Sequence, residues 1–136
     1  MTAETALLSL LVIPGGPAHV REARRFVERA TGPPAGRADA AGLLASELVT
    51  NSLLHSASSR PGGTVTIAVL PVPGGIRVEV TDQGGPTVPA LREPDDPAAE
   101  NGRGLRLVDT LSARWGCQPS DGQLITWFEM EVPAHD

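Results

Sequence analysis

Residues 47–56 read "ELVTNSLLHS". Leu48, Val49, Leu53 and Leu54 are the apolar residues of a buried helix, yet Glu47, Asn51 and His55 recur every fourth position. At about 100° per residue those three side chains fall on one narrow arc. Ala40, Leu43, Leu44, Leu48 and Leu54 lie in or beside that arc, while Ser46, Ser52 and Ser56 take the other side. The polar stripe therefore sits on the apolar face, the one that should meet the rest of the fold. Burying such groups without partners costs about 1–3 kcal/mol each. Either a core network satisfies them, or the helix looks onto a wet pocket, a ligand or an ion.

The flanking sequence places this helix. It runs from about Asp39 to Ser56, between the breakers "TGPPAG" (31–36) and "SSRPGG" (58–63). Upstream, Val20, Ala23, Val27 and Ala30 repeat at helical spacing and leave Arg21, Arg25 and Arg29 on an exposed face, a candidate surface for an acidic partner. "ALLSLLVI" (6–13) reads as a strand, and Pro17 suits the first turn of the helix after it. Downstream, Val65, Ile67 and Val69 alternate with polar or small residues, as do Ile76, Val78 and Val80, with "PVPGG" (71–75) between them. Residues 84–101 carry proline, glycine and acids without periodicity and read as a loop. A third helix is expected after Gly104 with Leu105, Val108 and Leu111 as its buried face; "RWGCQ" and "QLITWFEMEV" then form a hairpin turned at "PSDG" (119–122). The order β-α-α-β-β-α-β-β predicts an α+β two-layer sandwich, a mixed, mostly antiparallel sheet covered on one face by helices.

Bulk composition narrows the function. A chain of 136 residues, 40% hydrophobic and 20% charged, suits one domain, 1–136. A net charge of −5 argues against nucleic acid or an anionic membrane as partner. Every basic residue is arginine, and the absence of lysine removes P-loop and eukaryotic-type kinase machinery. Cys117 stands alone, with no zinc-ligand spacing to His19, His55 or His135, as expected of a cytoplasmic protein. The longest apolar run is too short to span a bilayer.

Three further features bear on chemistry. By strand parity Asp82 points to the same side as Ile76, Val78 and Val80, and "QGGP" comes directly after it. A carboxylate there can accept a hydrogen bond from an exocyclic amine, or simply begin a turn. Thr126 shares a face with Leu124, Phe128, Met130 and Val132, so its hydroxyl needs a partner. "NGRGLRLV" (101–108) opens a helix with two glycines, and free N–H groups at such an end favour an anion.

In this order the elements resemble the Bergerat-fold ATP-binding domains, the GHKL superfamily that includes histidine-kinase and gyrase ATPases. "ELVTNSLLH" resembles its N box, "VEVTDQGG" its first glycine box and "GRGLRLV" its second. The ending "WGCQPSDGQLITWFEM" resembles that of the small bacterial anti-sigma factor serine/threonine kinases. The resemblance implies ATP and Mg²⁺ as ligands. Asn51 would ligate the metal, Glu47 would act as the catalytic base, and Asp82 would bond the adenine amino group, supported by Thr126. Backbone around Gly84, Gly102, Arg103, Gly104 and Leu105 would approach the nucleotide, His55 would face the phosphates, and residues 86–101 would form a lid. The implied function is transfer of the ATP γ-phosphate, leaving ADP, to Ser or Thr of an anti-anti-sigma (STAS) partner. The alternative is a non-catalytic, ATP-dependent binding module that sequesters a sigma factor or other regulator. No nucleic acid or membrane partner is implied, and a homodimer is compatible with either reading. Two departures matter: close relatives often carry a lysine in a "GKT"-like turn where this chain reads "GQLIT" with Gln123, and the lid is short and acidic.

Overall fold

A computed structural model describes residues 8–54, the backbone of His55, and residues 62–83, 108 and 111–131. The chain enters as strand β1 (Ser9–Pro14), passes a short 3₁₀ turn (Pro17–His19), and forms helices α1 (Val20–Thr31) and α2 (Ala35–His55). Strands β2 (Thr64–Val72), β3 (Gly75–Asp82), β4 (Arg114–Ser120) and β5 (Gln123–Glu131) complete it. The sheet order is β1-β2-β3-β5-β4, and all four pairings are antiparallel. This is the expected α+β arrangement, with no parallel pairing among the described strands.

Local chemistry explains the turns. Gly32 ends α1 at φ 74°, its N–H donating to the Glu28 carbonyl at 3.1 Å. Pro73-Gly74 joins β2 to β3, with Gly74 at φ 79°. Asp121-Gly122 joins β4 to β5 with both residues at positive φ, 52° and 81°, as a two-residue hairpin of matching twist requires. Both turns are tighter than the sequence suggests, because Pro71, Val72, Pro119 and Ser120 stay in their strands. Gly75 is tolerated only as glycine: a Cβ there would collide with the Met130 carbonyl oxygen of β5.

The core lies between the helices and one sheet face. Val65, Ile67 and Val69 of β2, Val78 and Val80 of β3, and Phe128 of β5 meet Leu44, Ala45, Leu48 and Val49 of α2 and Ala23 and Val27 of α1. Helix α2 is covered on two sides, by α1 and by the sheet. Small residues permit the close helix–helix approach: a Cβ on Gly42 would lie 2.6 Å from Glu28 Cγ. This double cover explains two departures from the sequence reading. The buried arc of α2 spans about half its circumference, so Ser52 is buried, while Leu54, expected on the apolar face, is 59% exposed. The helix also begins at Ala35, not Asp39, because Pro34 supplies the carbonyl for the N–H groups of Arg37 and Ala38. Towards β4, Val108 is buried as expected, but Leu111 is exposed: the next residue, Ser112, already leaves the helix and leads into that strand.

The outer sheet face carries an ion-pair cluster. Arg77 donates from Nε to Glu79 at 2.8 Å and from Nη1 to Glu129 at 2.9 Å, and its guanidinium lies 4.0 Å from the Trp127 ring centroid. Arg114 adds a bond to Glu129 at 2.5 Å. Burial acts to raise the Glu129 pKa, but the Arg77 and Arg114 hydrogen bonds outweigh it and hold the carboxyl below its ordinary range. Its folded pKa is thus below its unfolded value, so its stabilisation is present above the unfolded pKa, about 4.3. It is lost as pH falls through the folded value. Chemical denaturation at pH 7 and at about pH 3 should show a smaller acid loss for Glu129→Gln than for the wild type. Equal losses would place the acid sensitivity elsewhere.

Candidate functional site

Among the described residues, four polar side chains are buried on the helix–sheet layer or beside it: Asn51 (6% exposed), Ser52, Asp82 (2%) and Thr126 (3%). Three of them belong to the set that the sequence singles out.

Asp82 is the last residue of β3, opposite Leu124 of β5. Alternation puts it on the inner face with Val78 and Val80, both fully buried. Thr126 pairs with Val80, so it is the diagonal neighbour of Asp82 on the same face. A carboxylate and a hydroxyl thus stand side by side at the end of an otherwise apolar surface. Strand parity in the sequence gives this result. It does not give Cys117, which is the cross-strand partner of Thr126 on its other side, on β4. Burial pushes the Cys117 thiol pKa up, which keeps it protonated and chemically quiet.

Asn51 lies at one margin of the buried arc of α2, three residues after Leu48 of the core cluster. Its amide nitrogen is buried and has no hydrogen-bond partner among the described residues. An unpartnered buried amide is expensive, which leaves it available to a polar ligand. Rotation about its last torsion presents either the oxygen to a hard cation or the nitrogen to an anionic oxygen. Glu47, one turn earlier, is only partly buried and can reach solvent from the same side of the helix. The stripe therefore straddles the boundary between core and surface.

The Asn51 amide oxygen is a ligand atom that fits a hard cation. No cluster of three or more His, Cys, Asp or Glu able to hold a metal occurs among the described residues. A Mg²⁺ ion held by the Asn51 amide would take its remaining oxygens from phosphate and water, the usual manner for this ion. His55 is described only in its backbone. Gly84, Gly102, Arg103, Gly104, Leu105 and the lid at 86–101 lie outside the described residues.

The comparison with known families decides the class. The family model described as histidine kinase-like ATPase domain matches residues 13–128, which takes in the end of β1 through most of β5. The chain belongs to the histidine kinase-like ATPase domain family. The chain is also similar to an uncharacterised protein of Streptomyces coelicolor, 39% identical over 72 residues, which is 53% of this chain and 67% of the relative. ATP binding thus follows from the family. No described helix is long and apolar enough to cross a membrane.

Proposed function

We propose that this ATP-binding domain is an anti-sigma-type regulator that transfers the γ-phosphate of ATP to a serine or threonine of a STAS-domain partner. The observation that carries the reading is the pairing of Glu47 with Asn51 one turn apart: a solvent-reaching carboxylate next to a buried, unpartnered amide. Asn51 would hold Mg²⁺ through its amide oxygen, and Asp82 would accept a hydrogen bond from the adenine amino group with Thr126 beside it. When bound, the metal supplies neutralisation of phosphate charge. Glu47 would accept the proton of the attacking hydroxyl as its oxygen bonds to the γ-phosphorus and the bond to the ADP oxygen breaks. The rest of the rate comes from positioning and charge stabilisation.

Glu47→Gln tests the role of the base. General-base removal costs about 10²–10⁴ in rate, so label transfer from γ-labelled ATP to purified STAS proteins should fall by at least about a hundredfold. ATP affinity should stay within about twofold, because Glu47 makes no ground-state contact with the base or ribose in this reading. Transfer that survives the substitution removes Glu47 from the mechanism.

A specific feature favours the binding-module reading as the alternative. Gln123, exposed at the start of β5, stands where close relatives often carry a lysine, and the 86–101 segment holds Glu93, Asp95, Asp96 and Glu100 against Arg92. Loss of that lysine weakens charge stabilisation of the transferring phosphate more than it weakens nucleotide binding. Tight ATP binding with no label on any STAS partner would transfer the assignment to an ATP-dependent module that sequesters a sigma factor.

A further inference from the structure

The last rung between β2 and β3 at the Asp82 end is Thr66 opposite Thr81. Continuing that register places Thr64 opposite Gln83. Gln83, however, is no longer in the strand: β3 ends at Asp82. The Thr64 N–H donates instead to the Gln83 side-chain oxygen, at 2.9 Å. A side chain thus takes the place of the main chain in the ladder, and the backbone departs from the sheet directly after Asp82 without leaving that N–H orphaned. The donating end is itself anchored, since Gly63, adjacent to Thr64, accepts a bond from the Gly15 N–H at 3.0 Å and so ties β2 to the end of β1. Because the donor is a main-chain N–H, the partner must be the amide oxygen, which fixes the orientation of the Gln83 amide.

We infer that Gln83 is a positioning residue for Asp82: its side-chain oxygen, bonded to the Thr64 N–H, fixes the backbone on the exit side of Asp82 and so aims the Asp82 carboxylate at the exocyclic amine of the nucleotide base. On the other edge, Leu124 of β5 already holds Asp82 in register. The Gln83 bond adds a hold on the β2 side of Asp82, and its loss loosens the exit of the strand there. A hydrogen bond to an amine is steep in angle as well as distance, so fraying reduces base discrimination before it reduces general affinity. This inference rests on the reading of Asp82 as the contact to the adenine amino group.

The test is the ratio of the dissociation constants for inosine triphosphate, which lacks the 6-amino group, and for ATP. Gln83→Met keeps the length and removes the acceptor; Gln83→Glu keeps an acceptor in reach of Thr64. The ratio should fall about three- to tenfold in Gln83→Met, the worth of a net hydrogen bond, and stay within about twofold of wild type in Gln83→Glu. A uniform change in affinity for both nucleotides, or a lower Tm with the ratio intact, would assign Gln83 a structural role only and overturn the inference. Asp82→Ala separates the two layers of the argument. If Asp82→Ala collapses the ratio and Gln83→Met does not, only the role of Gln83 fails. If the wild type shows no preference for ATP over inosine triphosphate, the reading of Asp82 fails and this inference falls with it.

Discussion

Phe128→Ala lowers the free energy of unfolding by about 3–5 kcal/mol, the cost of emptying a fully buried aromatic site. Phe128 is the largest of the fully buried side chains, at 0% exposure. It stands on β5 between Val78 of β3 and Trp115 of β4, on the face that the helices cover. Fully buried Val78 stands directly opposite it and Leu44 belongs to the same core cluster; residues fixed by the backbone in this way cannot collapse into the vacated volume without moving whole elements. Single domains are stable by only about 5–15 kcal/mol, so this one change removes about a fifth of the total or more. Tm should fall by roughly 10–18 °C for a chain of this length. Phe128→Leu, which leaves most of the volume filled, should cost far less. Denaturant titrations of both variants give the measurement. A loss below about 1 kcal/mol for the alanine variant would mean that β5 does not back onto the helices.

The periodicity that places Phe128 shows why some features are legible in the sequence and others are not. Strand parity is strict, and a single frame set by Val78 and Val80 puts Asp82 on the inner face; the same reasoning places Thr126. Helical phase is less strict. The pattern of α2 suggests one covered face, but α1 and the sheet both pack on it. That second contact buries Ser52 and displaces the exposed side to Leu54. Nothing local announces such a contact; the small residues Ala38, Ala41, Gly42 and Ala45 are its only trace. The stripe of Glu47 and Asn51 is visible, but its placement at the margin of the buried arc needs the packing partner. Leu111 misleads for a similar reason: it keeps helical spacing from Val108, yet the helix has all but ended there. Gln83 and Cys117 escape notice because their significance is relational. One matters through Thr64, nineteen residues away in sequence, and the other through Thr126 across a hairpin. A side chain that completes a main-chain ladder has no signature in composition or spacing.

Asp82→Ala should largely remove the stabilisation that ATP confers. In the wild type, ATP at a hundredfold excess over its Kd adds about 2.7 kcal/mol to the unfolding free energy. A hydrogen bond between the Asp82 carboxyl and the adenine amine contributes about 1.5–3 kcal/mol, so the variant should bind roughly 10- to 150-fold more weakly. For a hundredfold loss, the same ATP concentration equals the new Kd and the increment shrinks to about 0.4 kcal/mol. The comparison uses the nucleotide-dependent increment because Asp82, 2% exposed, also contributes to the fold without ligand, and subtraction removes that part. Thr126→Val adds a second constraint. Asp82 and Thr126 are diagonal neighbours on one face, so their effects on ATP affinity should be non-additive, the double variant losing less than the two single losses combined. Additive losses would place the two side chains on separate parts of the ligand. An undiminished ATP increment in Asp82→Ala would remove this side chain from the site altogether, and with it the physical reason for burying a polar group at the end of an apolar strand face.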